Sequence, residues 1–146
     1  MTRSFLLTDD DSDDRELFAE ALMAIDPSIV CHFAEDGESA LLLLESKRIA
    51  QPDMIFLDIN MPGMNGWQLL KKLKASESLK NLPVVMYSTS SSTQDKETAR
   101  DLGALCLITK PYNFKLVRNV LEIVVDSLER NALAELCVDI HQVLKV

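Results

Sequence analysis

The chain has 146 residues, the size of one ordinary domain. Its composition, 47% hydrophobic and 26% charged with only four Gly and five Pro, excludes a disordered or low-complexity chain. A net charge of −8 argues against direct nucleic-acid binding, and apolar runs as short as Leu41–Leu44 exclude a membrane span.

Short apolar runs alternate with segments of helical period. Phe5-Leu6-Leu7 reads as a first strand. In Ser12 to Ile25, Leu17, Phe18, Ala21, Leu22 and Ile25 share one helical face, and Asp26-Pro27 closes that helix. Ile29 to Phe33 reads as a second strand and Glu38 to Arg48 as a second helix. Met54 to Leu57 is a third strand after the breaker Pro52. The loop Met61-Pro62-Gly63-Met64-Asn65-Gly66 then leads into a helix carrying Trp67, Leu69, Leu70 and Leu73. Val84 to Tyr87 is a fourth strand, Thr93 to Leu102 a short polar helix stopped by Gly103, and Ala104 to Ile108 a fifth strand. A helix from Phe114 to Leu128 follows. The pattern implies an α/β fold, a doubly wound parallel sheet with helices on both faces.

In such a sheet, ligands bind beyond the carboxyl ends of the strands. There the sequence places Asp9 and Asp10 after the first strand, Asp58 after the third, Ser88 and Thr89 after the fourth, and Lys110-Pro111 after the fifth. Carboxylates, hydroxyls and one ammonium on a single edge are the parts of a magnesium-assisted phosphoryl site. Asp11, Asp13 and Asp14 extend the acidic run, but their position suits a helix start, with Asp11 or Ser12 as N-cap. Ser90 to Thr93 similarly reads as a loop ending in an N-cap.

With Leu6-Leu7-Thr8-Asp9-Asp10, the run Phe56 to Gly66, Met86-Tyr87-Ser88-Thr89 and Thr109-Lys110-Pro111 in this order, residues 3 to 126 resemble the response-regulator receiver domain of two-component signalling, in its stand-alone, chemotaxis-regulator-like form. The resemblance implies five strands in the order 2-1-3-4-5. It makes Asp58 the phosphoacceptor, and Asp9 and Asp10 the pair holding Mg²⁺, with Asp10 the more direct ligand and Asn60 adding its backbone carbonyl. Ser88 becomes the switch hydroxyl, Thr89 a backbone N–H donor, and Lys110 the ammonium that pairs with the acceptor, with a Lys110–Pro111 bond that is typically cis in the family. Many members carry an aromatic residue where this chain has Leu107; Tyr87 and Tyr112 are the aromatics nearby.

The resemblance further implies a phosphoacceptor signalling protein rather than an enzyme. A sensor histidine kinase or histidine phosphotransfer protein would donate phosphate. A downstream protein target would read the face built by the fourth helix, fifth strand and fifth helix. The alternatives are a phosphorelay intermediate passing phosphate to a histidine phosphotransfer domain, and a phosphate-independent dimerisation module. A phosphohydrolase reading is disfavoured because Asn60 stands where such enzymes place a second Asp.

The chain divides into a receiver domain, 1–128, and a C-terminal helical extension, 129–146. In the extension Ala132, Leu133, Leu136, Ile140, Val143 and Leu144 recur at helical spacing. That stripe can pack on its own receiver or against a second chain, and a homodimer contact through the extension with the fourth helix, fifth strand and fifth helix is favoured over a free tail. Met1-Thr2-Arg3-Ser4 runs into only three apolar residues before the acids, so no signal peptide is expected. Cys31, Cys106 and Cys137 are too scattered for a disulfide framework or zinc site and read as small hydrophobes. The cysteines suit a reducing cytoplasm, and the family resemblance implies a bacterial source.

Overall fold

The computed structural model describes residues 2–144; Met1, Lys145 and Val146, which fall at the ends of the two proposed segments, lie outside the described residues. Five parallel strands, β1 (Ser4–Thr8), β2 (Val30–Ala34), β3 (Met54–Leu57), β4 (Val84–Ser88) and β5 (Leu107–Thr109), form one sheet in the order β2-β1-β3-β4-β5. The helices between them are α1 (Ser12–Ile25), α2 (Gly37–Glu45), α3 (Gly66–Ala75), α4 (Thr93–Asp101) and α5 (Phe114–Glu129). No helix among the described residues is long and apolar enough to cross a membrane.

The period of two along each central strand sorts the core into two layers. Phe5, Leu7, Phe56 and Tyr87 face α1 and α5, packing on Phe18, Leu22, Val120 and Val124. Leu6, Ile55, Leu57 and Met86 face the other way, onto Leu69, Leu70 and Leu73 of α3 and Ala40 and Leu44 of α2. Within the first layer Phe18 meets Phe56 edge-on with centroids 4.9 Å apart, and Phe56 meets Tyr87 at 6.0 Å. With both faces covered, the middle strands are buried throughout and their interior residues apolar, so polar groups gather mainly at the carboxyl edge.

The element boundaries shift where local backbone chemistry intervenes. The second helix stops at Glu45 rather than Arg48, since Lys47 turns left-handed with φ 58°. The second strand runs one residue later than expected, to Ala34. The fifth is short, although Leu105 N already donates to Val84 O at 2.8 Å and Met86 N to Cys106 O at 2.9 Å. Among the described residues there is no cis peptide bond, so Lys110–Pro111 is trans and not cis as the family pattern suggested. Trans is the isomer that X–Pro bonds favour by about 0.5–1 kcal/mol.

The C-terminal stripe finds its burial at home. After Asn131, left-handed at φ 55°, a 3₁₀ turn (Leu133–Glu135) leads into α6 (Leu136–Leu144), which packs on α5 and β5. Leu136 and Ile140 are buried in the α1–α5 layer, with Leu133 and Leu144 against its margin, while Val138 and Val143 stay exposed. The homodimer expectation rested on an apolar stripe without cover, and that reason is removed: the extension covers its own domain. Leu136→Ala should therefore cost about 2–4 kcal/mol in urea unfolding, as for any buried leucine. An unchanged midpoint would mean that α6 does not dock in solution.

Candidate functional site

Parallel register brings the strand exits side by side, with Thr8 opposite Leu57, Leu57 opposite Met86 and Ser88 opposite Thr109. The next residues therefore emerge on one edge. Backbone bonds fix these exits: Asp9 N donates to Ala34 O at 3.0 Å, Asp58 N to Thr8 O at 3.0 Å, and Lys110 N to Ser88 O at 2.7 Å.

Asp9, Asp10 and Asp58 bring carboxylate oxygens within 4.8 Å of one another; Asp9 and Asp58 are buried and Asp10 is exposed. The Lys110 ammonium lies 2.7 Å from Asp9 Oδ2, 3.2 Å from Asp58 Oδ2, and 2.8 Å from Asp14 Oδ2. Its side chain is only 8% exposed and lies 5.8 Å from the Tyr87 ring centroid. Burial alone would lower the Lys110 pKa, but Asp14, Asp9 and Asp58 outweigh it and hold the pKa above the usual lysine value.

Asp9 is the strained member. Burial raises its carboxyl from 3.8 to about 6, against the pull of Lys110 and of the Asp11 N–H, which donates to Asp9 Oδ1 at 3.0 Å. Asp9 Oδ2 is fully buried, and the positive group beside it is the Lys110 ammonium at 2.7 Å, which it shares with Asp14 and Asp58. Three carboxylates within 4.8 Å of one another, two of them buried and with one lysine between them, leave negative charge in excess and fit a hard divalent cation with oxygen ligands.

Ser88 is buried at the end of β4, whereas Thr89 and Asn60 are exposed. Asp11 is the N-cap of α1, accepting from Asp13 N and Asp14 N, so the helix-start reading of the acidic run holds for Asp11 and Asp13. Asp14 does more, because from the first turn of α1 it reaches Lys110. The sequence reading missed that contact, which joins residues 96 apart and has no local signal. Ser92 caps α4, as expected from the serine run. Leu107 is buried in the α3-facing layer, Tyr87 in the opposite one, and Tyr112 is exposed.

Gly66 supports the acceptor from behind. It opens α3, capped by Asn65 and Gln68 in a reciprocal pair, and its N–H donates to Ile59 O at 2.8 Å. A Cβ there would collide with the Asp58 carbonyl oxygen and lie 2.9 Å from Ile59 Cα, both of them backbone. Gly66→Ala is expected to cost about 1–3 kcal/mol or more and to displace Asp58. Chemical denaturation and the Asp58 backbone NMR shifts together check it; a silent substitution would rule out the close contact.

The family model described as the response regulator receiver domain matches residues 5–122. Response regulator Rcp1 of Synechocystis sp. is 31% identical, covering 79% of this chain and 84% of its own. The structure of the phosphorylated cyanobacterial phytochrome response regulator RcpA superposes with a TM-score of 0.82 at 28% identity, covering 90% of this chain and 97% of that one. The Mn(2+)-bound form of Rcp1 gives a TM-score of 0.76 at 28% identity, covering 86% and 96%.

Proposed function

The chain belongs to the response regulator receiver family, and on that premise we propose that it is a switch thrown by phosphorylation of Asp58. The observation that carries this reading is the convergence of the Asp9, Asp10 and Asp58 carboxylates within 4.8 Å of one another, with the buried Lys110 ammonium 2.7 Å from Asp9 and 3.2 Å from Asp58. An Asp58 carboxylate oxygen attacks the phosphorus of a phosphohistidine on a sensor kinase or phosphotransfer protein. The O–P bond forms as the N–P bond breaks, and the histidine nitrogen leaves with its electron pair. Asp9, Asp10 and Asp58, with the Asn60 carbonyl, would hold Mg²⁺, which when bound offsets the charge of the transferring group.

Lys110, 3.2 Å from Asp58 Oδ2, is poised to follow the charge onto a phosphoryl oxygen. The Ser88 hydroxyl, buried on the neighbouring strand, supplies a second contact, and the exposed Thr89 its backbone N–H. Gain of these contacts biases a two-state equilibrium of the domain, and a cytoplasmic protein target reads the result at α4, β5 and α5. Any such target meets a surface that already carries α6. In this reading 1–128 is the switch and 129–146 modifies its output face.

Incubation with acetyl phosphate, followed by intact mass measurement, tests the proposal. Wild-type protein should gain one phosphoryl group with Mg²⁺ and essentially none with EDTA, and Asp58→Ala should gain none. A failure of the wild-type chain under every condition would leave a phosphate-independent interaction module as the better reading.

A further inference from the structure

We propose that Cys106 and Cys137 are a redox pair, closed by a hydroperoxide into an intramolecular disulfide that fastens α6 to the β5 edge. The proposal stands apart from phosphoacceptance at Asp58.

Strand alternation points Cys106, like Ile108, into the layer that α5 and α6 cover, where Cys106 is buried with Leu136 and Ile140. Cys137 follows Leu136 at the start of α6 and packs against that same layer. Its thiol donates to Leu105 O at 3.0 Å, the carbonyl that immediately precedes the Cys106 nitrogen. Both residues are free thiols. Both also line a cavity of about 770 Å³ between α4, β5 and α6, walled in part by Arg100, which gives a small oxidant a route to them.

The two sulfurs are electrostatically unlike. The Cys106 thiol is pushed up, first by its hydrogen bond with Cys137 and then by burial. The Cys137 thiol is drawn below the usual value by the hydrogen bond from Cys106 and, after the opposing effect of burial, by the charge of Arg100. Cys137, the less buried of the two and on the cavity wall, is the sulfur an oxidant meets first, with Cys106 as the resolving thiol. The third cysteine, Cys31, is on β2 at the opposite edge of the sheet, and burial raises its thiol to about 12.

The chemistry balances with the peroxide as oxidant. The Cys137 thiolate attacks one peroxide oxygen, the O–O bond breaks, and sulfenic acid and an alkoxide or hydroxide form. The Cys106 thiol, giving its proton to the departing oxygen, attacks the sulfenic sulfur; the S–S bond forms and water leaves. Two thiols are oxidised and one peroxide is reduced. The product ties together an α6 that in the reduced protein is held by packing around Leu136 and Ile140. Sensing of this kind fits cysteines that cycle rather than brace a fold.

Full-length protein treated with hydrogen peroxide, then denatured and alkylated, provides the test. Expected are loss of two of the three alkylatable thiols, an intact mass before alkylation lower by two hydrogen atoms, and a 106–137 cross-linked peptide that dithiothreitol releases. Oxidised protein should also show slower amide exchange in α6. Cys106→Ser should halt at a dimedone-reactive Cys137, and Cys137→Ser, at the less buried position, should form no 106 adduct. Retention of all three thiols, a cross-link between chains, or oxidation of Cys31 ahead of Cys137 would each overturn the proposal.

Discussion

Lys110→Met in EDTA at pH 7 is expected to be less stable than wild type by about 3–5 kcal/mol, the usual result of removing one partner from a buried ion cluster. Methionine keeps most of the stem volume, so the loss reports charge rather than packing. The lysine is nearly buried and is shared by Asp9, Asp14 and Asp58, two of which are also buried. Without it, their mutual repulsion and desolvation have no counter-charge. Two conditions should restore stability. Mg²⁺ should do so by supplying positive charge, and acid by protonating the carboxylates. The variant's folded state then binds more protons than its unfolded state, so its deficit should shrink as pH falls. Urea titrations at pH 7 and pH 5, with and without Mg²⁺, make the check; a uniform deficit in all four would assign the loss to packing.

Asp9→Asn should separate stability from metal binding in opposite directions. In wild-type protein without metal, the Asp9 carboxyl is held near 6, first by burial, against 3.8 in the free side chain. Between about pH 4 and 6 the folded state therefore carries the extra proton, and stability falls as pH rises through that window. Asparagine has no charge to bury and can still accept from Asp11 N. At pH 7 the metal-free variant should gain roughly 1–3 kcal/mol over wild type, following the 1.36 kcal/mol per pKa unit of linkage. Its affinity for Mg²⁺ or Mn²⁺ should fall by at least the roughly 10–100-fold that loss of a mere supporting partner costs a metal site. Calorimetric titration and denaturation in EDTA test both halves. A variant that loses stability while binding the ion normally would remove Asp9 from the ligand set.

The site is a local compromise in an otherwise consistent fold. Two charged residues, Asp9 and Asp58, are among the few buried polar groups, and both stand at strand exits where a cation can reach them. Stability given up at such a position is regained on binding.

Most of the fold was legible in the sequence because its signals are local. The apolar runs, the helical face of Leu17, Phe18, Ala21 and Leu22, and the stops at Asp26-Pro27 and Gly103 each act within a few residues. Asp58, Ser88 and Lys110 were legible for the same reason: in a parallel sheet, the residue after each strand reaches one common edge. Three features depended on tertiary structure. Asp14 is a helix-start acid by sequence, and only the seating of α1 brings it to a lysine 96 residues away. The stripe from Leu133 to Leu144 announced an apolar face but not its cover, because periodicity specifies which side of a helix avoids water and not what excludes the water. Cys106 and Cys137 looked like isolated small hydrophobes until α6 folded back over β5 and set them on one cavity wall. Backbone pattern is written in neighbouring residues, whereas ion pairs, helix docking and thiol pairing depend on distances through space that only the closed chain defines.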